Sequence, residues 1–274
     1  MPSVTRYRNG VPSWADVGLP DVAAGAAFYS SLFGWEAADQ GPEAGHYTMF
    51  SLDGASVAAA GPNAQVPDAD DVPPSWTAYV SVDDLDTTLG KVEPAGGRVL
   101  MPRMDIFTSG SMAMIQDPTG AVLSLWQPGD HIGAERVNEP NTLAWHELNT
   151  RDPEAAMAFH AAVFGWEFEE LNGDAVDGPG AGYRLVRIGE RMVAGILPME
   201  GDDWGDMPSH WMIYFAVDDC DATVARAKEL GAAVGVEPID IAIGRFAVLS
   251  DPQGAHFSVM SFAGPMDEIP DGVA

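Results

Sequence analysis

Two carboxylic acids occupy matched places beside tryptophans: Asp16 lies two residues after Trp14, and Glu147 two residues after Trp145. Each falls in a short apolar stretch of strand type. A carboxyl buried there has a raised pKa, the state of a general acid or base. Paired with an arginine or a tyrosine hydroxyl, it would instead fix the shape of a cleft. Strand alternation puts every second residue on one face and enlarges both sets. The first holds Trp14, Asp16, Thr77, Tyr79, Val122, Ser124 and Trp126; the second holds Trp145, Glu147, Asn149, His210, Met212, Tyr214, His256, Ser258 and Met260. Aromatic rings with a few hydrogen-bonding groups and one carboxylate suit a flat, partly polar organic ligand, held by stacking and oriented by polar contacts. The same rings could also simply fill the space between strands. Other reactive signatures are missing: the sequence has no Gly-x-Ser-x-Gly elbow, phosphate-binding loop or dinucleotide fingerprint.

The matching is not accidental, because the chain repeats. Phe33-Gly34-Trp35-Glu36 recurs as Phe164-Gly165-Trp166-Glu167, Val82-Asp83-Asp84 as Val217-Asp218-Asp219, and Asp117-Pro118-Thr119-Gly120 as Asp251-Pro252-Gln253-Gly254, at offsets of 131, 135 and 134. A chain of 274 residues fits two domains of this unit size. They are expected over 8–128 and 141–264, with a polar, Pro/Gly-bearing linker at 129–140 and a poorly ordered tail at 265–274. Each copy divides again. In the first, a strand at 13–18 precedes Pro20-Asp21 and an amphipathic helix, with Val22, Ala26, Tyr29 and Phe33 on one stripe and Gly34 closing it. Strands follow at 35–39, 46–52 and 55–60. The order recurs with a strand at 76–82, a helix at 85–92, and strands at 99–106, 112–115 and 121–127. Each domain thus reads βαβββ-βαβββ, an α+β class. Acid- and proline-rich inserts at 62–74 and 201–208 are solvated connectors or lids over a cleft.

Thirteen basic against forty-one acidic residues give a net charge of −28. A field of that sign repels phosphate backbones and anionic lipid, which argues against nucleic-acid and membrane partners. No apolar run approaches the roughly 20 residues of a membrane helix, and residues 1–10 lack the apolar core of a secretory signal. The single cysteine, Cys220, fits a reducing cytoplasm and, placed at a helix start, reads as inert.

Paired βαβββ modules with the Phe-Gly-Trp helix end and the late Asp-Pro-x-Gly turn resemble the vicinal oxygen chelate superfamily, which includes glyoxalase I, extradiol dioxygenases and bleomycin-type resistance proteins. The tandem layout, with His131-Ile132-Gly133-Ala134 in the linker and 244–255 near the end, is similar to two-domain actinobacterial proteins labelled hydroxylases or glyoxalase-like. Some of these lie in clusters that make aromatic polyketide antibiotics, including anthracyclines. The resemblance implies two tandem domains, each a pair of modules curled into a half-barrel.

In metal-using members, His, Glu or Gln from the first and last strand of each module converge on a divalent cation. Here those positions fall on Trp14, 58–60, Thr77 and Ser124, and on Trp145, 194–196, Met212 and Ser258. None is a strong ligand, so no metal or other cofactor is expected. A shifted iron triad of Glu147, His210 and His256 is the rival, each displaced by about 7 Å along its strand. The resulting expectation is a cytoplasmic, metal-independent protein that binds a small aromatic or polyketide-like molecule, aiding its oxidation beside an oxygenase partner or sequestering it. A glyoxalase-type lyase or isomerase, a metal-dependent oxygenase and a protein-interaction scaffold are the alternatives. Because two covalently linked copies mimic a dimer, a monomer is expected.

Overall fold

Residues 4–63, 72–171 and 182–264 are described by a computed structural model of the chain. The tail at 265–274 and part of the 62–74 insert lie outside these residues. The first repeat runs β1 (Pro12–Leu19), α1 (Val22–Phe33), β2 (Glu36–Asp39), β3 (Thr48–Leu52), β4 (Ala55–Pro62), β5 (Ser75–Ser81), α2 (Leu85–Val92), β6 (Arg98–Ile106), β7 (Gly110–Gln116) and β8 (Val122–Pro128). The second runs β9 (Leu143–Thr150), α3 (Pro153–Phe164), β10 (Glu167–Glu170), β11 (Arg184–Ile188), β12 (Arg191–Pro198), β13 (His210–Ala216), α4 (Cys220–Glu229), β14 (Ala233–Ile241), β15 (Gly244–Ser250) and β16 (His256–Phe262).

Local chemistry sets the helix limits. The Asp21 carboxylate accepts from the Ala24 amide and starts α1, and Asp84, Asp152 and Asp219 do the same for the other three helices; each such cap is worth about 1 kcal/mol. Gly34 (φ 74) and Gly165 (φ 75) end α1 and α3 in the left-handed conformation that glycine adopts without penalty. The strand expected at 46–52 begins only at Thr48, because His46 takes φ 62 and breaks the extended run.

Each repeat forms one eight-stranded sheet, in the order β2-β3-β4-β1-β5-β8-β7-β6 and its counterpart β10-β11-β12-β9-β13-β16-β15-β14. The first strands of the two modules meet antiparallel at the centre, with Trp14 opposite Tyr79 and Asp16 opposite Thr77. In the second sheet Trp145 faces Tyr214, Glu147 faces Met212 and Asn149 faces His210. The parallel neighbours β8 and β16 bring Ser124 beside Tyr79 and Ser258 beside Tyr214. The alternate residues (Ala15, Val17, Ala78, Val80, Leu123 and Leu125, with Ile213, Phe215, Phe257 and Val259) are all buried, as a helix-covered face requires.

That covered face also joins the repeats. Phe33 and Trp35 of the first repeat pack 5.2 and 5.4 Å from Phe215 of the second. The Trp35 Nε1–H donates to the Asn141 carbonyl at 2.7 Å, and its counterpart Trp166 donates to the Gly10 carbonyl at 2.8 Å. The Phe-Gly-Trp motif therefore closes a helix and fastens one repeat to the other. The linker is fastened too. The Ala134 amide bonds the Ser13 carbonyl, and Arg136 forks onto Glu139 while reaching Asp53.

One pair of matched positions breaks the pseudo-symmetry. The fully buried Tyr29 hydroxyl donates to Asp251 Oδ2 at 2.9 Å and accepts from Trp76 Nε1 at 3.0 Å. At the mirror site His160 replaces the tyrosine. Its Nε2 stands 3.4 Å from Asp117 Oδ2, and His160 Nδ1, His160 Nε2, Asp117 Oδ2 and Trp211 Nε1 are buried without a hydrogen-bond partner in the protein. Val80 and Leu123 stand where the first site has Phe215 and Phe257, so the mirror site is lined by smaller side chains. His160→Tyr is expected to restore the bridge and raise stability by roughly 1–3 kcal/mol; urea unfolding of the two proteins measures the shift.

Candidate functional site

The face of each sheet opposite its buried alternate residues carries one carboxyl held by tyrosine. In the first cleft Asp16 Oδ2 accepts from Tyr47 at 2.9 Å and from Tyr79 at 2.8 Å, while Trp14 Nε1–H donates to the Tyr47 hydroxyl at 3.3 Å. In the second, Glu147 Oε1 accepts from Tyr214 at 2.9 Å, and the Tyr183 hydroxyl, which accepts from Trp145 Nε1 at 2.9 Å, lies close enough to Glu147 to oppose the rise of its pKa. Tryptophan, tyrosine, carboxyl and second tyrosine thus stand in the same order twice, with every link hydrogen-bonded in the first cleft. Of the two pairings open for the carboxyls, the tyrosine one is realised.

Burial dominates their acidity. Desolvation pushes Asp16 up to about 6, against the downward pull of the Tyr79 and Tyr47 hydrogen bonds. Glu147 is pushed up to about 7 by the same cause, with Tyr214 and Tyr183 opposing. The four tyrosines are raised well above the usual phenol value by burial and by the adjacent carboxylate, so they act as neutral O–H donors. An ionised carboxyl accepts a proton and a neutral one donates it, and Glu147 changes between these states near neutral pH.

Most inward residues expected from the sequence come together. Trp14, Asp16, Tyr79 and Ser124 converge in the first cleft, with Thr77 half-buried beside them. Trp126 turns its Nε1–H onto the His131 carbonyl at 2.9 Å. In the second cleft Trp145, Glu147, Tyr214 and Ser258 converge, and Met212, Tyr214 and Met260 form an apolar cluster with Trp145 packed against it. The Ser124 and Ser258 hydroxyls are fully buried and make no hydrogen bond of good geometry. Asn149 is buried, its Nδ2 3.2 Å from His210 Nε2 and its Oδ1 unpartnered. His256, at the first position of β16, is exposed and lies near enough to His210 for its charge to help lower that imidazole's pKa. The 201–208 insert folds as a short 3-10 turn, held by Arg151 donating to the Gly205 and Met207 carbonyls. It sets Trp204 6.4 Å from the His210 ring.

Tyr47, Tyr183 and His131 were not among the expected residues. Both tyrosines precede their strands, Tyr47 after His46 (φ 62) and Tyr183 after Gly182 (φ 75), so strand alternation cannot place them. Glycines make room for them. A Cβ at Gly195 would collide with Tyr183, and one at Gly61 would come 3.0 Å from the Tyr47 ring. The available signal was the recurrence of Tyr47 as Tyr183 within the repeat.

The donor set does not fit a family metal. Indole, hydroxyl, methyl and thioether groups stand at the ligand positions, and both nearby carboxyls are engaged by tyrosines. Among the described residues no three or more His, Cys, Asp or Glu side chains converge as a metal-holding group, so Glu147, His210 and His256 are not assembled as a triad.

Residues 13–125 match the glyoxalase/bleomycin resistance protein/dioxygenase superfamily, and residues 145–260 the glyoxalase-like domain. The chain belongs to this superfamily. Its relatives include the presumptive glyoxylase CFP32 of Mycobacterium tuberculosis (strain CDC 1551 / Oshkosh), 46% identical over 95% of this chain and 98% of that one. The anthracycline biosynthesis protein DnrV of Streptomyces peucetius is 42% identical over 94% of this chain and 95% of its own. In three dimensions the superfamily fold is shared with the Mn(II)-bound glyoxalase of Novosphingobium aromaticivorans (TM-score 0.63, 19% identity, 93% of this chain and 83% of that one). The 2,3-dioxygenase LapB of Pseudomonas sp. KL28 shares it as well (TM-score 0.61, 16% identity, 98% and 97%). Among the described residues of this superfamily member, no helix is long and apolar enough to cross a membrane.

Proposed function

We propose that this chain binds a small aromatic, polyketide-like molecule without the help of a metal, and serves its oxidation, beside an oxygenase partner, or its sequestration in antibiotic biosynthesis or resistance. The observation that carries this is the carboxyl flanked by two tyrosines and a tryptophan, the tryptophan standing where the resemblance puts a metal ligand. The indole stacks on a flat ring system. The carboxyl, neutral below its raised pKa and ionised above it, donates to a carbonyl oxygen or accepts from a phenol of the ligand. The likeness to DnrV, named for anthracycline biosynthesis, supports a fused-ring ligand. The test is quenching of tryptophan fluorescence by 1,8-dihydroxyanthraquinone. Saturable quenching in the wild-type chain, weakened at least tenfold in Trp145→Ala, is the expected outcome; none in the wild-type chain contradicts it.

A second reading rests on Glu147. A carboxyl poised at about 7 suits a general acid–base role in a lyase, isomerase or oxygenase step. Loss of turnover in Glu147→Gln with probe affinity intact would mark that case.

A further inference from the structure

His131 stands at the Trp14 end of the first cleft. Its ring stands edge-on to Trp14, with centroids 4.6 Å apart at 82°, and edge-on to Trp126 at 5.8 Å and 67°. The backbone around it is pinned on both sides. The His131 amide bonds the Ser109 carbonyl, the His131 carbonyl accepts from Trp126 Nε1, and the Ala134 amide bonds the Ser13 carbonyl. Gly133 passes so close to β1, at φ 112, that a Cβ would collide with the Ser13 carbonyl oxygen. The linker can therefore lie against the strand only along this path, and the path carries the imidazole to the Trp14 indole. The imidazole Nε2 is buried and unpartnered, so no hydrogen bond of that nitrogen explains the ring's position; the fit between two indoles does.

Two further contrasts point the same way. Trp14 is only 3% exposed, whereas Trp145, its counterpart, is half-buried. In the first cleft Trp14, Tyr79 and Trp126 are continuous with the main apolar core. In the second, Met212, Tyr214 and Met260 form a separate patch, with Trp145 and Phe246 packed against it. Met212, Tyr214 and Met260 are themselves buried, so the half-buried Trp145 indole at their edge is the aromatic surface left open to a ligand.

We infer that the clefts are unequal: His131 closes the Trp14 end of the first, and a planar aromatic ligand binds in the second beside Trp145, one molecule per chain. This rests on the proposed aromatic-binding role and adds which cleft performs it. Calorimetric titration of the full chain with 1,8-dihydroxyanthraquinone tests it. One site is expected in the wild-type chain, two in His131→Ala, and one in the double variant His131→Ala/Trp145→Ala. Trp145→Ala alone is expected to weaken binding at least tenfold, and that variant decides the matter if removal of His131 prevents folding. Two sites in the wild-type chain, one in folded His131→Ala, or undiminished binding in Trp145→Ala would overturn the inequality while leaving aromatic binding in place. No binding by any of these proteins would overturn the aromatic-binding role itself, and the inequality with it.

Discussion

Glu147→Gln is expected to stabilise the chain at pH 8 by roughly 3 kcal/mol and to change it little at pH 4. The carboxyl is 6% exposed, and burial lifts its pKa from 4.5 to about 7. Between those values the folded chain holds a proton that the unfolded chain has released. Stability therefore falls as pH rises from about 4.5, and the full penalty is present above about 7. Glutamine removes the titration, and its carbonyl can still accept from Tyr214. Asp16, lifted from 3.8 to about 6, adds a second fall of the same sign at lower pH, which the Glu147 variant retains. Denaturant unfolding at pH 4, 6 and 8 checks this. A stability difference between variant and wild type that does not grow with pH would show Glu147 to be an ordinary carboxylate.

Tyr29→Phe is expected to cost roughly 2–5 kcal/mol, because it leaves two buried groups without their partner. The hydroxyl donates to Asp251 Oδ2 and accepts from Trp76 Nε1. The other Asp251 oxygen is occupied by the Gln253 and Ala255 amides, and the site is walled by Phe28, Phe33, Phe215 and Phe257. These rings offer no substitute donor. Since Tyr29 and Asp251 belong to different repeats, the loss should weaken the joint between them. Urea unfolding measures the cost, and a change below about 0.5 kcal/mol would mean the bridge contributes little.

Much of this fold could be read in the chain because its signals are local. Asp caps, the glycines at 34 and 165, and the alternation of Ala15 and Val17 with Trp14 and Asp16 each act within a few residues. The repeat then let every element be read twice, so the strand register and most cleft residues followed. The missing parts act over distance or outside regular structure. Tyr47 and Tyr183 enter the clefts from turns, where period-two alternation says nothing. Tyr29 finds Asp251 across 222 positions, a pairing no local pattern encodes. His131 lies in a stretch whose Pro, Gly and charged residues mark it as a connector, and only its fixed path past Ser13 carries the ring to Trp14. His256 shows a different limit: alternation sets it near His210, but says nothing of its exposure at the start of β16.

If tyrosine-held carboxyls do the work of a cation in the clefts, titration of one preparation with 1,8-dihydroxyanthraquinone should give the same result before and after exhaustive chelation, and again after adding Mn(II), Fe(II) or Zn(II). One dissociation constant, within twofold, is expected under all of these conditions. Binding that disappears on chelation and returns with stoichiometric metal would contradict it.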